Sequence, residues 1–191
     1  MQTRVAIISG ATSVLGREIV RIFVRNGWRL GLMMHQNKAV RKELDACCRD
    51  GLPQGSWLWH EGSLSVRRDL ERFVETVTTQ LGPVSVLINN AAMTVNKSLV
   101  RMSDDDWSRV FDINLHGPFI LCRAVLKQMV KNKRGHLIHL SSIQAYKGGA
   151  SAYAASKAAL IGLSRSLAME YGKKGICSNA VFPGYMDSPL T

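Results

Sequence analysis

Acidic side chains are in short supply here: 14 Asp and Glu face 25 Lys and Arg, for a net charge of +11. That balance is compatible with an acidic partner, nucleic acid or anionic small molecules, and does not choose between them. Helix-turn-helix, zinc spacing and aromatic-basic RNA motifs are all missing, which leaves charge as the sole argument for nucleic acid. The four cysteines, Cys47, Cys48, Cys122 and Cys177, make no C-x-x-C pair and no framework spacing. This pattern fits a reduced, intracellular chain rather than a disulfide scaffold. No apolar run approaches the ~20 residues of a membrane span. The opening Met1-Gln2-Thr3-Arg4 leads straight into Val5-Ala6-Ile7-Ile8, too short for a signal peptide. The expectation is a soluble, cytoplasmic protein with no nucleic-acid or membrane partner and no metal.

What is present is a regular alternation. The 191 residues, 46% of them apolar, fit one domain. Short apolar runs at Val5–Ser9, 30–34, 57–60, 84–88, 136–140 and Ile176–Val181 read as strands. Between them lie helix-periodic segments at 14–26, 38–49, 68–80, 107–131 and Ser151–Tyr171. In the first helix Val14, Ile19, Ile22 and Phe23 are expected to face inward. In the third, Leu70, Phe73, Val74 and Val77 form an i, i+3, i+4, i+7 stripe. Ser103 and the acidic Asp104-Asp105-Asp106 suit the start of the long fourth helix. Continuous apolar strands separated by helices imply a parallel sheet covered on both faces, a doubly wound α/β fold.

The first strand ends in Ser9-Gly10-Ala11-Thr12-Ser13-Val14-Leu15-Gly16, with a helix following at once. Glycine permits a sharp bend, and the free N–H groups and positive end of the next helix can hold a phosphate. Alone, this G-x5-G spacing is matched equally well by an ordinary strand-to-helix turn. Further motifs follow in order: Asn89-Asn90-Ala91-Ala92 after strand four, Asn114 in the long helix, Ser141-Ser142 after strand five, Tyr153-x-x-x-Lys157 opening the next helix, and Pro183-Gly184 after strand six.

Together these resemble the short-chain dehydrogenase/reductase family over essentially the whole chain, most nearly the 3-oxoacyl-[acyl-carrier-protein] reductases. The resemblance implies a single NAD(P)-binding Rossmann-like domain over residues 1–191 and a catalytic set of Asn114, Ser142, Tyr153 and Lys157. Ser142 rather than Ser141 takes the family's serine place, counted from Gly135 along the strand. Tyr153 would be the acid/base, its phenol drawn toward phenolate by the Lys157 ammonium and an oxidised nicotinamide. Asn114 would anchor a water linking Lys157 to solvent. A dinucleotide would be bound by Gly10, Thr12, Ser13, Leu15, Gly16, His35, Ser63, Asn90, Ala91, Ala92, Pro183, Gly184 and Ser188, besides Tyr153 and Lys157. NAD-preferring members carry a carboxylate after strand two. Residues 33–38 offer none, while His35, Lys38 and Arg17 can face a 2′-phosphate, so NADP(H) is favoured.

The chain also departs from the family pattern. Val14 replaces a glycine or other small residue in the phosphate turn, Ala92 the last glycine of N-N-A-G, and Ser63 an aspartate near adenine. Family members continue after Pro-Gly into further helices and a seventh strand, whereas this sequence stops at Thr191, so six strands are expected. The expected activity is NADPH-dependent carbonyl reduction, with a homo-oligomer formed through the long helices. Lys131, Lys133, Arg134, Lys173 and Lys174 stand where reductases of fatty-acid synthesis meet their acidic carrier protein, pointing to acyl-thioester substrates. An impaired or non-catalytic dinucleotide binder is the alternative, motivated by Val14 and the short C-terminus.

Overall fold

A computed structural model describes residues 4–35 and 37–186. Six strands form one sheet, in the order β3-β2-β1-β4-β5-β6, with every neighbouring pair parallel. They are β1 (Val5–Ser9), β2 (Arg29–Met34), β3 (Trp57–Glu61), β4 (Val84–Asn89), β5 (Gly135–Leu140) and β6 (Ile176–Val181). The order reverses between β1 and β4, and a crevice opens outside the carboxyl ends of the strands at such a switch point.

The helices are α1 (Val14–Arg25), α2 (Lys38–Gly51), α3 (Arg67–Leu81), α4 (Asp104–Phe111), α5 (Gly117–Lys131), the single turn α6 (Gln144–Lys147) and α7 (Ser151–Tyr171). Two apolar clusters, one on each face, bury the sheet. Val20, Leu44, Leu32 and Ile88 belong to the one under α1 and α2. Phe73, Leu121, Leu137 and Leu167 belong to the other, under α3, α5 and α7. The expected stripe of α3 is buried in full.

Two expectations need correction. In α1 the buried residues are Gly16, Val20 and Val24, whereas Ile22 is 54% exposed and Val14, Ile19 and Phe23 are only half-buried. The i, i+4 series that starts at Gly16 can approach the sheet most closely, because glycine has no side chain to hold the helix away. The fourth helix is not continuous over 107–131. It begins at Asp104, where Ser103 and Asp106 form a reciprocal capping box, and is broken by a π-helical turn at Asp112–His116 before α5 resumes. No described helix is long and apolar enough to cross a membrane.

Candidate active site

The phosphate turn is held in shape by packing. Gly10 has φ +65°, and a Cβ there would stand 2.8 Å from the Ala91 Cα. A Cβ on Gly16 would stand 2.1 Å from the Gly10 carbonyl oxygen, so only glycine fits. Asn90 braces the turn from β4, its Nδ2 reaching the carbonyls of Ser9 and Gly10 and the Ser13 hydroxyl at 3.0, 3.0 and 3.1 Å. Ser13 caps α1, its Oγ accepting from the Gly16 N–H at 3.0 Å. The first N–H groups of a helix lack i−4 acceptors, which leaves this terminus able to receive an anion.

The turn opens on a cleft of about 870 Å³, a size that suits a dinucleotide with part of a substrate. Gly10, Thr12, Ser13, Leu15, His35, Ser63, Asn90, Ala91, Ala92, Ser142, Tyr153, Lys157, Pro183 and Gly184 all line it. Of the remaining expected residues, Gly16 is buried beneath Gly10 and Asn114 is fully buried behind the wall. Lys38 opens α2 at an exposed position outside the lining, and Ser188 falls outside the described residues. Val14 lines the cleft as the first residue of α1, with no positive φ. Its branched side chain therefore brings no backbone strain, though it does occupy the cleft wall. The residues present fit a dinucleotide: a helix terminus with unmet donors, a glycine-tight approach and a long cleft.

At the other end, β5 and α7 bring the catalytic candidates together. Ser141 and Ser142 point to different tasks. The Ser141 hydroxyl is buried and donates to the Lys157 carbonyl at 2.8 Å, while Ser142 is hydrogen-bonded to Tyr153. Tyr153 and Lys157, one helical turn apart, share a face, with the Lys157 Nζ 5.6 Å from the phenol ring centre. Lys157 is 2% exposed and donates to the Leu140 carbonyl. Burial lowers its pKa to about 8.

The shift toward phenolate expected from the Lys157 ammonium together with an oxidised nicotinamide is opposed by the protein's own burial of the Tyr153 phenol. Burial pushes the Tyr153 pKa up, against the opposing pull of the Ser142 hydrogen bond. Removing the phenolate from water outweighs what the Ser142 hydrogen bond returns.

Asn114 sits in the π turn with both of its amide hydrogens committed. Its Oδ1 accepts from the Met93 N–H at 2.8 Å, and its Nδ2 donates to the Met93 carbonyl at 2.9 Å and to the Ser156 hydroxyl at 3.0 Å. Ser156 in turn donates to the Tyr153 carbonyl at 2.8 Å. Both amide hydrogens are used and one lone pair of Oδ1 remains to accept from a water, while the side chain braces the β4 exit, α7 and the π turn. Ser156 and Met93 escaped sequence reasoning. Ser156 was signalled only by its place three residues after Tyr153, and Met93 by nothing, since its backbone does the bonding.

A second unforeseen cluster lies behind the site. His139 and Asn89 are buried to 0% and 1% exposure, with His139 Nδ1 3.3 Å from Asn89 Nδ2, which also approaches the Cys122 Sγ at 3.5 Å. Burial, aided by the Lys157 charge, lowers the His139 pKa to about 4. The basic segments meet as well, for Gly175 packs on the Lys133 carbonyl and its own carbonyl accepts from the Gly135 N–H. They do so where β5 and β6 begin, the edge of the sheet opposite the cleft.

The sequence profile of the short chain dehydrogenase family matches residues 4–191. The chain is similar to the 3-oxoacyl-[acyl-carrier-protein] reductase of Thermotoga maritima, with 32% identity over all of this chain and 77% of the relative. The Escherichia coli protein of the same name is 32% identical over 98% of this chain and 75% of its own length. The 3-oxoacyl-[acyl-carrier-protein] reductase of Bos taurus gives 32% over 98% and 78%.

Proposed function

Since this chain belongs to the short-chain dehydrogenase family and is an NAD(P)-dependent oxidoreductase, we propose that it reduces the keto group of 3-oxoacyl thioesters with NADPH. The observation that carries this reading is the convergence of Ser142, Tyr153 and Lys157 at one end of a cleft whose other end is a helix N-terminus. When bound, the nicotinamide supplies a hydride to the carbonyl carbon. Ser142 and Tyr153 offer two hydroxyls to the carbonyl oxygen. Burial keeps the Tyr153 phenol protonated, which suits donation to an oxygen that becomes negative. Lys157, with a pKa near the ambient pH, returns a proton to Tyr153 and regains one from solvent. Asn114 positions both by tying Met93 and Ser156 together.

The preference for NADPH follows from charge. The end of β2 presents His35 and no carboxylate, and Arg17 lines the same part of the cleft, held 3.9 Å from Glu43. The converging basic segments support an acidic carrier as substrate donor, but they lie at the far edge of the sheet. A six-residue strand spans about 20 Å, so a carrier docked there serves the cleft of a second copy more readily than that of the same chain.

Fluorescence titration with NADPH and NADH, followed by NADPH oxidation with acetoacetyl thioester, tests the proposal. NADPH binding several-fold tighter than NADH, with turnover of the thioester, is expected. Equal affinities remove the roles of His35 and Arg17, and absence of turnover removes the reductase reading.

A further inference from the structure

Gln144 has no task in the reaction so far. It opens α6 two residues after Ser142, is half-buried, and lines the cleft. Its backbone N–H donates to the Ser142 hydroxyl at 3.2 Å, which fixes its position relative to that group. Its side-chain amide has no hydrogen-bond partner among the described residues. The amide nevertheless packs beside Gly149. A Cβ on Gly149 would stand 3.2 Å from its Cδ and 3.3 Å from its Oε1, and the Gly148-Gly149 turn around it has φ of +78° and +135°. An unpaired amide packed beside Gly149 at the cleft wall offers a donor and an acceptor to whatever enters the cleft.

We propose that Gln144 is a specificity-determining residue that donates, through Nε2, to a second carbonyl oxygen on the substrate, two carbons from the one reduced. The inference rests on the reductase reading above and names the residue that tells its 1,3-dicarbonyl substrates from simple ketones. Ser142 meets the reacting oxygen, and the longer Gln144 side chain spans the offset to the next one. A simple ketone leaves the amide facing an alkyl chain with its donor unmet, and sites built around a substrate hydrogen bond discriminate against analogues that lack it.

The test uses the full chain with saturating NADPH and two substrates: acetoacetyl-N-acetylcysteamine and a methyl ketone of similar length. Gln144→Leu should lose about tenfold in kcat/KM on the thioester, mostly through KM, and keep its rate on the ketone. Gln144→Glu keeps the shape and removes the donor, so it should lose at least as much. Calorimetric titration with the 3-hydroxybutyryl thioester supplies a reading that does not depend on turnover, and should weaken by a similar factor in both variants. Equal losses on both substrates, or a Gln144→Glu variant that matches the wild type, overturn the assignment of Gln144 while leaving the reductase reading in place. A wild-type chain that reduces neither substrate overturns both.

Discussion

The two ends of the cleft are made of different material. Where α1 begins, the wall is largely backbone, set by Gly10 and Gly16 and clamped by Asn90. Where α7 begins, it is side chains held by side chains: Ser142 on Tyr153, Asn114 on Ser156, Ser141 on the Lys157 carbonyl. Of the departures from the family pattern within the described residues, Val14 falls in the backbone-built part, while Ala92 and Ser63 line the cleft after β4 and β3. A wall of N–H groups keeps its donors when a neighbouring side chain changes, provided the chain path survives. A network of side chains has no such reserve, and in this chain it is intact.

The comparison breaks most readily at Tyr153. Tyr153→Phe should lower turnover by about 10²- to 10⁴-fold, the usual range for a positioned acid. Cofactor affinity, read by fluorescence, should stay unchanged because the nucleotide end is untouched. Turnover retained in the variant removes the distinction between the two ends.

A smaller effect is expected from His139, which lies beneath the side-chain network beside Asn89, Cys122 and the Lys157 charge. Its pKa is depressed to about 4 from 6.5. Below pH 6.5 the unfolded chain therefore takes up a proton that the folded chain refuses. Stability should fall as the pH drops from 6.5 to about 4, by up to ~3 kcal/mol at 1.36 kcal/mol per pH unit. Urea unfolding at pH 7 and pH 4.5 checks this. His139→Asn should lose distinctly less than the wild type over that interval, and equal losses sink the argument.

The smallest effect sharpens the comparison at the backbone end. Val14→Gly should tighten NADPH binding by about tenfold, or ~1.4 kcal/mol, because the side chain occupies the cleft wall without straining the backbone. The same change places glycine in the first turn of a helix and should cost stability, up to ~1 kcal/mol. Calorimetry and thermal melting should thus move in opposite directions. Unchanged or weaker binding would mean that valine is accommodated.

The parallel sheet and most element boundaries could be read from apolar runs and their spacing, because those patterns report burial directly, whereas the order of the strands across the sheet could not. The candidate quartet of Asn114, Ser142, Tyr153 and Lys157 could be read only through motifs in a fixed order, since Tyr153 or Lys157 alone looks like packing or surface charge. Other features left no trace in the sequence. The inward face of α1 depends on how closely Gly16 lets the helix approach, a tertiary fact. The break at Asp112–His116 depends on Asn114 reaching Met93 and Ser156, contacts between segments distant along the chain. Tyr153 and Lys157 take their proton affinities from depth of burial, which spacing does not encode.

The π turn has a consequence for how the two neighbouring helices share one continuous length of chain. Each residue of an α-helix advances the side-chain direction by about 100°, so an unbroken helix would bind the orientation of Asp106 and Val110 to that of Leu121 and Val125. The wider turn resets that angular phase. α4 can then present its own face to α7 while α5 turns Leu121 and Val125 into the apolar cluster on the sheet. Asn114 sits at the joint between these two settings, like a coupling between shafts keyed at different angles.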